Sequence, residues 1–132
     1  MFQWFNTKTN RNVTVSDKKR LPVITTIAED IILVDKASIA GSATYAAETS
    51  KTVTLEFYGS TGSVTSTVTF QLKGPSGNAV AIEGIRQTAP KDIVTSGKLG
   101  ETVSFSVPAG FTLVINYTTP NSGTLSIKGT VE

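Results

Sequence analysis

The sequence contains no cysteine and no histidine. These two absences remove thiol nucleophiles, imidazole general bases, zinc sites of the usual ligand types and iron–sulfur clusters. Disulfide staples are excluded as well, so the fold must rest on packing. A chain of 132 residues with 39% hydrophobic composition is long enough to bury one such core. The lack of thiols leaves the redox compartment open. Long apolar runs are also missing: no stretch approaches the roughly eighteen consecutive apolar residues that span a bilayer, and membrane insertion is not expected. Met1 to Asn12 alternates aromatic and polar residues, with neither the apolar run nor the small-residue cleavage site of a secretory signal, so export by that route is not expected.

Charge is scarce, with 12 Lys and Arg against 10 Asp and Glu, and unevenly spread. Lys8, Arg11, Lys18, Lys19 and Arg20 face only Asp17 within the first twenty residues, whereas the rest of the chain is mildly acidic. The body lacks the basic stripe with interleaved aromatic or amide readers that nucleic-acid binding requires, so no nucleic-acid partner is expected.

What the sequence has in abundance is Thr (21), Ser (13), Val (13) and Ile (10), a mixture that favours pleated, half-buried surfaces over helices. The apolar period agrees. Val53, Leu55 and Phe57 alternate with Thr52, Thr54 and Glu56, and Val68, Phe70 and Leu72 alternate with Thr67, Thr69 and Gln71, so each segment turns every second side chain inward. The same pattern recurs at Val80 and Ile82, at Val103, Phe105 and Val107, at Phe111 to Tyr117, and at Leu125, Ile127 and Val131. Ile31 to Val34 reads as a buried strand. Turn signals at Gly59–Ser63, Gly74–Asn78, Pro108–Gly110 and Pro120–Gly123 are short enough to predict antiparallel hairpins between successive strands. The expected fold is all-β, an antiparallel β-sandwich of immunoglobulin-like or jelly-roll-like type. Residues 31–132 form the sandwich, and residues 1–30 form an extended N-terminal arm with a first short strand at Val13-Thr-Val15.

Catalytic constellations are thin. Glu29 and Asp30 are adjacent and point to opposite faces of a strand, and Asp35, Glu48, Glu56, Glu83, Asp92 and Glu101 are scattered singly, as solvated surface charges are. Ser50-Lys51 and Ser96-Gly-Lys98 are formal serine–lysine pairs, but such a dyad is assembled in space and serine is too common here for adjacency to signify. Neither a phosphate loop nor calcium-loop spacing occurs. Gly74-Pro-Ser-Gly-Asn78 reads as a turn rather than a ligand loop, and Tyr45, Tyr58 and Tyr117 form a sugar platform only if the fold brings them together. No enzyme, cofactor or metal is expected.

The anomaly is the head. Phe2, Trp4 and Phe5 precede any strand that could carry them into a core; they read as a partner anchor, or as a terminus or first strand covering one end of the sandwich itself, and three large aromatics favour docking somewhere over a solvated terminus. Lys18, Lys19, Arg20 and Leu21 follow in the same arm.

Asn12-Val-Thr-Val-Ser-Asp-Lys-Lys-Arg-Leu-Pro-Val23 resembles the extended leader segments that precede small β-sandwiches in structural proteins of tailed bacteriophages. Ser42 to Val131 resembles the sandwich that follows in them, through Lys51-Thr-Val-Thr-Leu55, Ser66-Thr-Val-Thr-Phe70, Val80-Ala-Ile82, Val107-Pro-Ala-Gly-Phe-Thr-Leu113 and Ser122-Gly-Thr-Leu-Ser-Ile127. Relatives often carry a Trp after the glycine turn where this chain has Asn78, Ala79 and Val80, so no binding residue transfers to that turn. The resemblance implies a non-enzymatic virion protein: a capsid decoration, head-fibre, or baseplate or neck accessory. Assembled in the host cytoplasm, it would be attached to the major capsid protein or another virion protein through Phe2, Trp4, Phe5, Lys18, Lys19, Arg20 and Leu21. It also implies a homo-oligomer, a trimer being one option. The rival reading is a carbohydrate- or receptor-binding module of the tail or baseplate, with a surface glycan as partner.

Overall fold

A computed structural model describes residues 27–132. Val13–Val15 and the other residues of the arm before Ile27 lie outside the described residues. Eleven strands follow in the order β1 (Glu29–Ala37), β2 (Gly41–Ala46), β3 (Lys51–Gly59), β4 (Thr67–Lys73), β5 (Ala79–Ala81), β6 (Gly84–Arg86), β7 (Ile93–Val94), β8 (Ser96–Lys98), β9 (Thr102–Val107), β10 (Thr112–Tyr117) and β11 (Leu125–Val131). They form a six-stranded sheet, β1-β11-β3-β9-β6-β7, and a five-stranded sheet in which β2-β10-β4-β5 is extended by β8, also paired with β4. Every pairing is antiparallel. The expected β-sandwich is the fold.

The period-2 segments build its core. Val53, Leu55 and Phe57 of β3, Val103, Phe105 and Val107 of β9, and Leu125, Ile127 and Val131 of β11 line the inner face of the larger sheet, while Val68 and Phe70 of β4 and Leu113 and Ile115 of β10 line the other. Phe70 reaches across, with its ring centroid 4.7 Å from Phe105 edge-on and 6.0 Å from Phe57 in a stacked arrangement. Gly97 in β8 makes room for these rings, since a Cβ there would lie 2.7 Å from the Phe57 ring and 3.4 Å from that of Phe70.

Three expectations from the sequence need correction. Of the four turns read as hairpins, only Gly74–Asn78 is one, joining β4 to β5 within a sheet; Gly59–Ser63, Pro108–Gly110 and Pro120–Gly123 each carry the chain from one sheet to the other. The same residues serve both purposes because a reversal of direction is needed in either case, and strand periodicity does not say in which sheet the next strand is placed. Val80 is 59% exposed, not inward, because β5 is a three-residue edge strand with its side chains in solvent. Ile31–Val34 is not a buried strand but part of the edge strand β1, in which Val34 is buried and Ile32 is 62% exposed. β1 begins at Glu29, so residues 29 and 30 are its first two. Its far end is irregular: pairing with β11 shifts after Val34, Lys36 adopts φ 58°, and its N–H donates to the Oγ of buried Ser126 at 3.1 Å. This bulge turns the chain toward β2 in the opposite sheet.

Register defines two ends of the sandwich. One gathers the loops between β1 and β2, β3 and β4, β8 and β9, and β10 and β11. The other gathers the loops after β2, β4 and β9 with the start of β1 and the end of β11, where Glu29 pairs with Val131; this is the end at which the arm joins the body.

Candidate interaction surfaces

The seven nominated residues, Phe2, Trp4, Phe5, Lys18, Lys19, Arg20 and Leu21, lie outside the described residues. What the structure shows is the surface beside their point of attachment. Five carboxylates, Glu29, Asp30, Glu48, Glu83 and Glu132, sit at or next to that end of the sandwich, against Lys51 and Lys73. The arm, basic in sequence, therefore joins the body at an end with an excess of negative charge.

Two hollows run from that end. One, of about 290 Å³, is bounded by Ser50, Lys51, Thr52, Ser106, Val107, Pro108 and Glu132. The second, of about 360 Å³, shares Thr52 and Ser106 with it and adds an apolar wall of Leu72, Ile82, Ile85 and Phe105 with Glu83 at the rim. It forms where the chain crosses between sheets from β5 to β6: the Ile82 N–H still donates to the Phe70 carbonyl, whereas Gly84–Arg86 already belongs to the other sheet. β6 pairs with β9 only at Ser104 and Val103, which leaves the Phe105–Val107 end of β9 as an open edge beside the hollow. Ile85 and Ile93 face each other across β6 and β7 and are 46% and 66% exposed, extending the apolar wall outward.

Sequence reasoning missed one cluster. Arg86, at the end of β6, donates from its two terminal nitrogens to Glu101 Oε2 at 2.8 Å and to Asp92 Oδ1 at 2.6 Å, and from Nε to the Pro90 carbonyl at 2.9 Å. Glu101, read from sequence as a solvated charge, is only 19% exposed and also accepts from the Lys98 backbone N–H. Burial pushes its carboxyl upward, but the hydrogen bonds from Lys98 and Arg86 and the nearby guanidinium outweigh this and hold it below its ordinary value of 4.5. Arg86 is raised, chiefly by its hydrogen bond to Glu101. The arrangement ties the 87–92 loop and the β8–β9 turn to one guanidinium. It acts as a clip in which one guanidinium is shared by two carboxylates, with one negative charge in excess and Asp92 half exposed. Spacings of six and fifteen residues follow no strand or helix period, so nothing in the sequence marks it.

The tyrosines do not form a platform. Tyr45 and Tyr117 pack partly buried against the core from the smaller sheet, whereas Tyr58 lies in the larger sheet with the Lys128 ammonium 5.8 Å from its ring centre. Lys128 is raised, chiefly by its hydrogen bond to the Tyr58 hydroxyl, with the carboxylates of Asp35 and Glu56 adding to the effect. Ser50 Oγ accepts from the Ala109 N–H, and Ser96 and Lys98 are both exposed on β8. Among the described residues no three acidic side chains gather as a metal site would require, and no helix is long and apolar enough to cross a membrane.

The XepA family model matches residues 27–131, the whole sandwich. Two solved structures share the fold. The SPBc2 prophage-derived protein YomS superposes with a TM-score of 0.69 at 18% identity, covering 83% of this chain and 98% of YomS. The PBSX exported protein XepA superposes with a TM-score of 0.74 at 26% identity, covering 100% of this chain and 49% of XepA. The chain thus spans about half the length of XepA. No curated protein matches.

Proposed function

The chain belongs to the XepA family, whose solved relatives are prophage proteins, and from that premise we propose that it is a non-enzymatic structural component of a phage particle. Kinship along the entire sandwich is the observation that carries this reading. The description of XepA as exported fits a protein that acts outside the cell, on a particle released from it. A sandwich whose core is closed by rings from both sheets, and whose 87–92 loop and β8–β9 turn are tied together by the Arg86 clip, is suited to a passive, durable module.

The finer assignment is to the head surface, as a decoration or accessory protein attached through the arm to the major capsid protein or another virion protein. Phe2, Trp4 and Phe5 supply apolar area, roughly 150–250 Å² each when fully buried, and Lys18, Lys19, Arg20 and Leu21 form the basic step behind them. Several copies engage symmetric sites on the shell, as a trimer or another small closed oligomer. Purified protein mixed with heads and with tails, then separated by gel filtration, tests this: elution with heads supports it, and elution with tails alone or with neither overturns the head assignment. The rival, a glycan- or receptor-binding module, is tested by sugar titration. The separation of the three tyrosines over two sheets weighs against it.

A further inference from the structure

We propose that residues 84–94, the β6–β7 hairpin, act as a strap that opens as a unit while the two sheets stay closed, with Arg86 as its buckle. β5 and β8, the strands before and after it, both pair with β4 in the smaller sheet. Between them the chain makes an excursion to the edge of the larger sheet and returns, so the strap is fastened at its ends to one sheet and laid against the other.

The register shows how little backbone holds it there. The Phe57 N–H donates to the Glu101 carbonyl at 3.0 Å, and Val53 and Leu55 lie opposite Phe105 and Val103. The alternation of an antiparallel ladder then directs the backbone groups of Val103, Phe105 and Val107 to β3, and those of Thr102, Ser104 and Ser106 to the strap side. On that side the Gln87 N–H donates to the Thr102 carbonyl at 2.7 Å, and Ile85 lies opposite Ser104. Among the described residues Ser106 has no strand partner there.

Side chains add one strong attachment. Ile85 and Ile93 are largely exposed, and of the three apolar side chains of β6 and β7 only Val94 packs against the core. Gly84 lies flush against Val103 and Phe105 and has no side chain to contribute. Arg86 does the fastening: its guanidinium binds Asp92 within the strap and Glu101 in the turn that precedes β9. Glu101 is held in turn by the Lys98 N–H, so the buckle closes on the body of the sandwich. Segments with few buried apolar contacts are the ones that open locally, ahead of global unfolding. Opening leaves Thr102–Val107 as a free strand edge to which another extended chain can add, and the closed strap guards its first half.

Amide hydrogen exchange of the full chain, followed by nuclear magnetic resonance, tests this, because β9 carries its own control. In the native protein Ile85, Gln87 and Ser104 exchange with one common protection, about tenfold or more below that of Val103 and Phe105. Ser104 protected as strongly as Val103 and Phe105 overturns the proposal, since the strap then opens only when the sandwich unfolds. Arg86→Ala speeds the first three amides by a further factor of about ten and leaves Val103 and Phe105 within about twofold. Glu101→Gln, which keeps the shape of the turn, acts in the same direction. Equal acceleration of all five amides, or of none in either variant, overturns the role of Arg86 as buckle.

Discussion

Phe70 joins the two sheets, and replacing it with alanine is a severe truncation of this core. Its side chain is 1% exposed, edge-on to Phe105 at 4.7 Å and stacked near Phe57 at 6.0 Å, so the change removes one ring and strips a neighbour from two others. Buried Phe→Ala replacements lose about 3–5 kcal/mol, and each aromatic pair adds about 0.5–1.5 kcal/mol beyond its area. The expected loss is therefore about 5 kcal/mol. Domains of this size hold about 5–15 kcal/mol in total, so the variant sits at the edge of folding, with its midpoint lowered by about 15–20 °C. Phe70→Leu keeps most of the volume and loses chiefly the ring geometry, about 1–2 kcal/mol. Urea unfolding followed by far-ultraviolet circular dichroism reads both, and a cycle with Phe105→Leu should show about 0.5–1.5 kcal/mol of coupling. A Phe70→Ala loss below about 1.5 kcal/mol, or strict additivity with Phe105, would refute the claim that these rings bind the sheets together.

Other expectations rest on separate parts of the structure. Gly129 lies in β11 against the backbone of β3, and a Cβ there would overlap the Thr54 carbonyl oxygen; Gly129→Ala should cost about 3 kcal/mol or more in urea unfolding, while Gly62→Ala, with open space around it, should be close to neutral. Glu101 has a carboxyl pKa depressed in the folded state, so its contribution to stability is present above its ordinary value of 4.5 and is lost as pH falls through the lower folded value. Glu101→Gln should accordingly flatten the acid limb of a stability–pH curve below about pH 5, and an unchanged limb would show that the clip contributes nothing. Trp4→Ala should weaken particle binding by about 2 kcal/mol while leaving the thermal midpoint unchanged, as read by titration and by melting.

The strands that carry the core were legible because each half-buried segment announces itself every second residue: Val53-Leu55-Phe57, Val103-Phe105-Val107 and Leu125-Ile127 are inward as their spacing requires. The path between sheets was not legible. Gly59–Ser63 and Gly74–Asn78 look alike as turns, yet one crosses the sandwich and the other folds back beside its own strand. Val80 misled because a β-branched residue suits an exposed edge strand as well as a buried one. Gly84, Gly97 and Gly129 carried a signal that could have been used, since glycine inside a strand often marks a close approach, and each of the three sits where a Cβ would strike a neighbour. Of the candidate surfaces, the aromatic and basic head could be named from sequence, but the hollows beside its attachment could not. They are lined by residues from five separate stretches between Ser50 and Glu132, brought together by crossovers that no local pattern encodes.

Co-sedimentation with particles released by the phage that carries this gene tests the central claim most directly, comparing the native chain with a variant in which Phe2, Trp4 and Phe5 are all changed to Ser. With attachment through the arm, the native chain pellets with the particles and saturates them at a fixed ratio, while the variant, with the same melting curve, stays in the supernatant. A native chain that does not pellet, or a variant that pellets equally well, would contradict attachment through the arm.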